Sequence, residues 1–176
     1  MDTTKTKIKN KNYKNLMPNT NSSTIKVQKR DGRLEDLDIN KIHFVVEEAC
    51  EGLSGVSSSQ IEMNANIQFY DGMTTKDIQN VLVRSANDLI SLDTPNYQYA
   101  AARLLSYDVR KEAHGQYEYI PLLKLIVRNI RSGVYDKAIL DKYTKTEIKK
   151  FNTWIKRERD LKFTYAGLRQ ICDKYL

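Results

Sequence analysis

Lys29, Arg30 and Lys41 bring two ammonium groups and a guanidinium into one short stretch, interleaved with the carboxylates of Glu35 and Asp38. Ammonium and guanidinium donors make charge-assisted hydrogen bonds to phosphate oxygens, and carboxylates accept from an amino group or from ribose hydroxyls. This set supports non-covalent recognition of a polyphosphate. A basic turn lying in water has the same composition, because lysine and arginine are mostly exposed anyway.

The elements that must position these groups are legible around them. Asp31-Gly32 lies between the short runs Ile25 to Lys29 and Leu34 to Leu37. An Asp-Gly pair is what a two-residue type I′ turn requires, since both central residues take positive φ. The expectation is a β-hairpin with Lys29 and Arg30 at its tip. Directly behind it, Asp38 is placed to cap a helix whose apolar positions Ile39, Ile42, Val46, Ala49 and Leu53 step by three and four.

Further along, Ser59-x-x-Glu62 has the spacing of a capping box, and Thr74 is placed to open a third helix with the stripe Ile78, Val81, Leu82, Leu89 and Ile90. Thr94-Pro95 begins a fourth helix carrying Tyr97, Ala101, Leu104 and Leu105 and ending near Gly115. One hairpin and four helices make an α+β unit, mostly α, over residues 24–115. Residues 116–176 read as an all-helical segment: Pro121 to Arg131, Lys137 to Lys142, a capping box at Thr144-x-x-Glu147, and Thr164 to Tyr175. The last of these ends on apolar residues with no later segment to receive them, which is the pattern of a front end that continues elsewhere.

Composition narrows the function classes. The 176 residues are 40% hydrophobic, sufficient for a core. Of the net charge of +7, residues 1–23 carry +4 through Lys5, Lys7, Lys9, Lys11 and Lys14 against Asp2. That segment has almost nothing to bury, so it reads as a disordered basic tail, either a solubilising leader or a weakly polyanion-attracting one. The remainder is only mildly basic, which disfavours nucleic acid as a partner. Cys50 and Cys172 lie far apart, and His43 and His114 are the only histidines. Neither a disulfide framework, a zinc site nor a Cys-His catalytic pair is indicated. No stretch approaches the roughly 20 apolar residues of a membrane span, and a cytoplasmic location is expected.

The run Lys29-Arg30-Asp31-Gly32 followed by Asp38-Ile39-Asn40-Lys41-Ile42 resembles the ATP-cone, the nucleotide-sensing domain at the N-terminus of many class I ribonucleotide reductase large subunits. The similarity continues through Ile67 to Ile78, Asp93 to Leu104, Arg110 to Glu118 and Arg159 to Tyr165, several ordered motifs covering most of the chain. The resemblance implies ATP or dATP as allosteric effector, with Mg. It also implies phosphate contacts from Lys29, Arg30 and Lys111, with Thr75 at a helix start adding backbone and hydroxyl donors. Val27 and the run Glu35, Asp36, Leu37, Asp38, Ile39, Asn40 and Lys41 would then line the base and sugar. Asp38 stands where some members carry Asn, and members vary at the positions of Gln79 and Tyr107.

In the resembled enzymes ATP supports deoxyribonucleotide synthesis for DNA replication, and dATP shuts it down through oligomerisation. The expected partners are therefore the remaining catalytic part of the large subunit and the reductase small subunit. Neither cysteine matches the family's radical or redox thiols, so no catalytic residue is expected in this chain. Two alternatives stand beside this reading. One is a stand-alone cone binding nucleic acid, as in transcriptional repressors that carry a four-cysteine zinc ribbon absent here. The other is a degenerate cone acting only as an assembly module.

Overall fold

The computed structural model describes residues 25–176; the expectation of disorder for 1–23 lies outside them. Strands β1 (Lys26–Gln28) and β2 (Leu34–Asp36) pair antiparallel with Val27 opposite Glu35. Val27 is the inward residue of β1, 3% exposed. The connection is a three-residue loop rather than the two-residue type I′ turn expected. Gly32 N–H donates to Lys29 O (2.9 Å) and Lys29 N–H donates to Arg33 O (2.8 Å), and only Gly32, at φ +86°, enters the left-handed region. The Asp31 carboxylate accepts from the Arg33 backbone N–H (3.1 Å) and Nε (2.8 Å). The left-handed backbone is thus left to the residue without a Cβ.

A third strand, β3 (Met73–Thr74), pairs parallel with β1 to give the order β2-β1-β3. At two residues it is too short to show any alternation. Its position comes from Gly72, whose N–H donates to Lys26 O (2.8 Å), and from Asp71, whose carboxylate accepts from Lys26 N–H (2.7 Å). Helices α1 (Ile39–Cys50), α2 (Ser58–Asn66), α3 (Thr75–Asn87) and α4 (Tyr97–His114) cover one face of this small sheet.

Their caps explain the boundaries. Asp38 caps α1 as expected, accepting from the backbone N–H of Asn40 and Lys41. Ile42, Val46 and Ala49 are buried, whereas Ile39, in the first turn, faces water and Leu53 falls beyond the helix end. Ser57, not Ser59, caps α2: its hydroxyl accepts from Gln60 N–H, and Glu62 is engaged instead by His43 Nδ1 at 2.8 Å. Thr74 caps α3 by accepting from Asp77 N–H while donating to its carboxylate (2.6 Å). The helix stops at Asn87, so Leu89 is only half-buried and Ile90 is exposed. α4 begins two residues after Pro95, at Tyr97, and ends at Gly115 with φ +69°.

The core lies between the sheet and these helices. Ala86 of α3 and Ala100 and Ala101 of α4 are wholly buried, and residues this small let the two helices approach closely. Tyr97 packs in the centre, and its hydroxyl accepts from Ser57 N–H (3.0 Å) and donates to Gln60 Oε1 (2.6 Å). Tyr97→Phe removes both bonds at the start of α2 without emptying the core. The expected loss is about 1 kcal/mol, roughly 2 to 4 °C in Tm, measurable by thermal unfolding followed by circular dichroism.

The chain continues as α5 (Leu122–Arg131), α6 (Ala138–Lys142), α7 (Lys145–Trp154), a 3₁₀ segment (Arg157–Lys162) and α8 (Tyr165–Tyr175). The Thr144-Glu147 capping box opens α7, and Thr164 caps α8. Arg128 of α5 donates to the last carbonyls of α4, those of Ala113 and of His114 (2.6 Å). α8 returns to α4 and inserts Leu168 into the same core as Val27 and Leu104. No helix among the described residues is long and apolar enough to cross a membrane.

Candidate nucleotide-binding site

The three-residue loop of the hairpin, the start of α1, the start of α3 and the end of α4 meet around a cleft of about 460 Å³. Nine of the twelve residues expected at a nucleotide site line it: Val27, Lys29, Arg30, Glu35, Leu37, Asp38, Lys41, Thr75 and Lys111. Asp36, Ile39 and Asn40 do not. Asp36 alternates with Glu35 along β2, so it points to the opposite face, where it pairs with Lys26 at 2.5 Å. Ile39 is 59% exposed, and Asn40 is an exposed residue whose N–H is spent on the Asp38 cap.

The cations gather at one end. Lys29 is held by Glu35 at 2.7 Å, and Arg30 by Asp108 of α4 at 2.6 Å. Lys29 beside it, with help from Lys41 and Arg33, keeps the Glu35 carboxyl below its ordinary value. Lys41 lies 3.5 Å from Asp38, whose other oxygen is committed to capping α1. Asp38 therefore has a structural duty as well as a place on the cleft wall.

Lys111 is half-buried, with no carboxylate within ion-pair distance among the described residues; its ammonium lies 5.8 Å from the Tyr117 ring centroid. Burial first, then the repulsion of Arg30, pushes its amine below the ordinary lysine value, and Asp108 only partly offsets this. Next to it, the Arg110 guanidinium lies 4.6 to 4.8 Å from the ring centroids of Tyr107, Tyr117 and Tyr119. Thr75, the first residue of α3, brings the free N–H groups of that helix and the positive end of its dipole to the same place.

Aliphatic side chains line the cleft as well: Ile42 and Val45 from α1, Ile78 and Leu82 from α3, and with them Val27 and Leu37. The periodicity of these helices was legible, but that they line one cleft was not. Gln79, one turn beyond Thr75, also lines the cleft although it is only 5% exposed. Its Nε2 donates to Leu104 O at 2.8 Å, and a carbonyl can only accept, so the amide orientation is settled. Cations, a helix start and aliphatic side chains lining one cleft fit a ligand with a polyanionic and an apolar part. No three His, Cys, Asp or Glu side chains among the described residues gather in a way that could hold a metal ion.

A small sheet covered by four helices, with the cations of a hairpin tip and a helix start meeting at one cleft, is the architecture of a cone domain. The chain belongs to the ATP cone domain family, whose model matches residues 25–112. Over a longer stretch, it is similar to ribonucleoside-diphosphate reductase 1 subunit alpha of Escherichia coli (strain K12), 46% identical over 150 residues, 85% of this chain. The corresponding subunit of Salmonella typhimurium is 44% identical over 155 residues, 88% of this chain. Subunit alpha of Helicobacter pylori (strain 26695) is 38% identical over 152 residues, 86% of this chain. The chain spans about a fifth of the length of these relatives, 20%, 20% and 19% respectively.

Proposed function

We propose that this chain is the effector-sensing part of a ribonucleoside-diphosphate reductase large subunit and that its cleft binds ATP or dATP. The convergence of Lys29, Arg30 and Lys111 with the start of α3 in a cleft also lined by aliphatic side chains carries the reading. The triphosphate sits among the cations and the base lies between Ile42, Val45, Ile78 and Leu82. Mg²⁺ arrives with the nucleotide and is held mainly by phosphate oxygens and water, its usual mode of binding. ATP and dATP differ only in a ribose hydroxyl, so they regulate by their differential affinity for two assembly states, typically about 1 to 3 kcal/mol.

Chemistry takes place on the catalytic portion of the large subunit, with the small subunit as further partner, in the cytoplasm. Outside the cleft, Leu122, Leu123 and Val127 of α5 line an open groove of about 670 Å³ rimmed by Lys124, Arg131 and Lys149. This surface supports association with the remaining four-fifths of the sequence that the relatives possess.

Isothermal titration of the full chain with Mg-ATP and Mg-dATP tests the site. Loss of two charged contacts in Lys29→Ala/Lys41→Ala lowers affinity by about ten-fold or more. Unchanged affinity in the double variant would refute the placement of the nucleotide.

A further inference from the structure

Asp108 is one of three buried polar or charged residues among the described residues, with Gln79 and Ser85, and the sole carboxylate of the three. It is 8% exposed, on the face of α4 turned toward the hairpin, one turn before Lys111. It does not line the cleft; Arg30 does, and the Asp108 Oδ1 accepts from Arg30 Nη2 at 2.6 Å from behind. The residues are 78 positions apart in the chain, so the bond ties the hairpin loop to α4.

Arg30 needs such a tie. It is the first residue of a three-residue loop whose other bonds are local: Gly32 to Lys29 and Arg33 to Asp31. A long side chain on such a loop samples many rotamers, and ordering it opposes binding. Arg30 is also where the main cleft meets two flanking depressions, one lined by Thr75 and Lys76 and the other by Lys111 and Gly115. Its guanidinium has two terminal nitrogens and Nε, and Asp108 engages one of them. The planar fork is thereby held with donors left over for a second anion.

We propose that Asp108 is a positioning residue for the effector's phosphates: it fixes the Arg30 guanidinium from behind so that its remaining N–H groups meet the polyphosphate on arrival. The proposal rests on the nucleotide reading of the cleft. In this role Asp108 also offsets part of the repulsion between Arg30 and Lys111, while Lys76 has its own partner in Glu112 at 2.6 Å.

The test is a double-mutant cycle on the full chain, titrating Mg-ATP into wild type, Asp108→Ala, Arg30→Ala and the double variant. Asp108→Ala weakens binding by about ten-fold in the wild-type background and by less than about two-fold when Arg30 is already alanine. Asp108→Asn keeps an acceptor for Arg30 at the same place and recovers part of the affinity, and it decides the matter should the alanine variant fail to fold. A purely structural role predicts the same loss in both backgrounds. Equal losses, or unchanged or tighter binding in Asp108→Ala and Asp108→Asn, would overturn the inference while leaving the nucleotide reading intact. Failure of wild type to bind ATP at all would overturn both.

Discussion

Lys111→Met is expected to weaken Mg-ATP binding by about ten- to a hundred-fold, the consequence of losing a charged contact worth about 1.5 to 3 kcal/mol. The same substitution is expected to raise the Tm of the nucleotide-free protein. Both follow from one feature. Burial, and then Arg30, hold the Lys111 ammonium below its ordinary value in the free protein, so folding works against this charge. Between that lowered value and the unfolded value the native state binds fewer protons than the unfolded chain. Stability therefore rises with pH through this window, and the opposing contribution is fully present below it. Methionine keeps the length and apolar stem while removing the charge, which relieves the penalty. A triphosphate does the reverse: its negative charge raises the Lys111 value, so binding takes up protons. Affinity falls as pH rises through the depressed lysine value, and this fall is absent from Lys111→Met. Titrations across the alkaline range, paired with thermal unfolding of the free protein, check all three outcomes. A Lys111→Met protein that binds ATP as tightly as wild type would remove Lys111 from the phosphate site.

Leu168→Ala is expected to destabilise the whole chain by about 2 to 5 kcal/mol, the usual cost of emptying a buried leucine site. The lower part of that range applies, since Leu168, packed through α8 against α4, keeps 7% of its surface exposed. Because α8 shares its core with the unit that carries the cleft, the loss appears as one cooperative transition at lower Tm. Mg-ATP partly restores it, since a ligand that binds only the native state raises apparent stability. Two separated transitions, with only the later helices melting early, would show that α8 is not part of the core that supports the cleft. α8 and Arg128 together link the later helices to α4, the helix that carries Asp108 and Lys111. Movement of those helices is thus mechanically connected to the helix that borders the cleft.

Much of this organisation was written locally. Asp38, Thr74, Thr144 and Thr164 announce helix starts because a cap is made between a side chain and backbone N–H groups two or three residues on. Gly115 announces the end of α4 because a left-handed residue there costs a glycine little. The apolar stripes of α1, α3 and α4 are set by the 3.6-residue repeat. Where distant partners enter, local reading fails: Glu62 is taken by His43, the Ser57 N–H is satisfied by the Tyr97 hydroxyl, and the cap of α2 lies at Ser57.

The sequence by itself determined the helices, the basic hairpin tip and, through its ordered motifs, the family; these depend on near neighbours and on residue types. Tertiary structure alone decided that β3 pairs with β1, that aliphatic residues of α1 and α3 line one cleft, and that Asp36, Ile39 and Asn40 fall outside it. It also decided that Asp108 reaches back to Arg30 and that α8 closes on α4. Each of these is a contact between residues far apart in the chain, governed by packing of whole elements, and no local pattern encodes the distance between two faces.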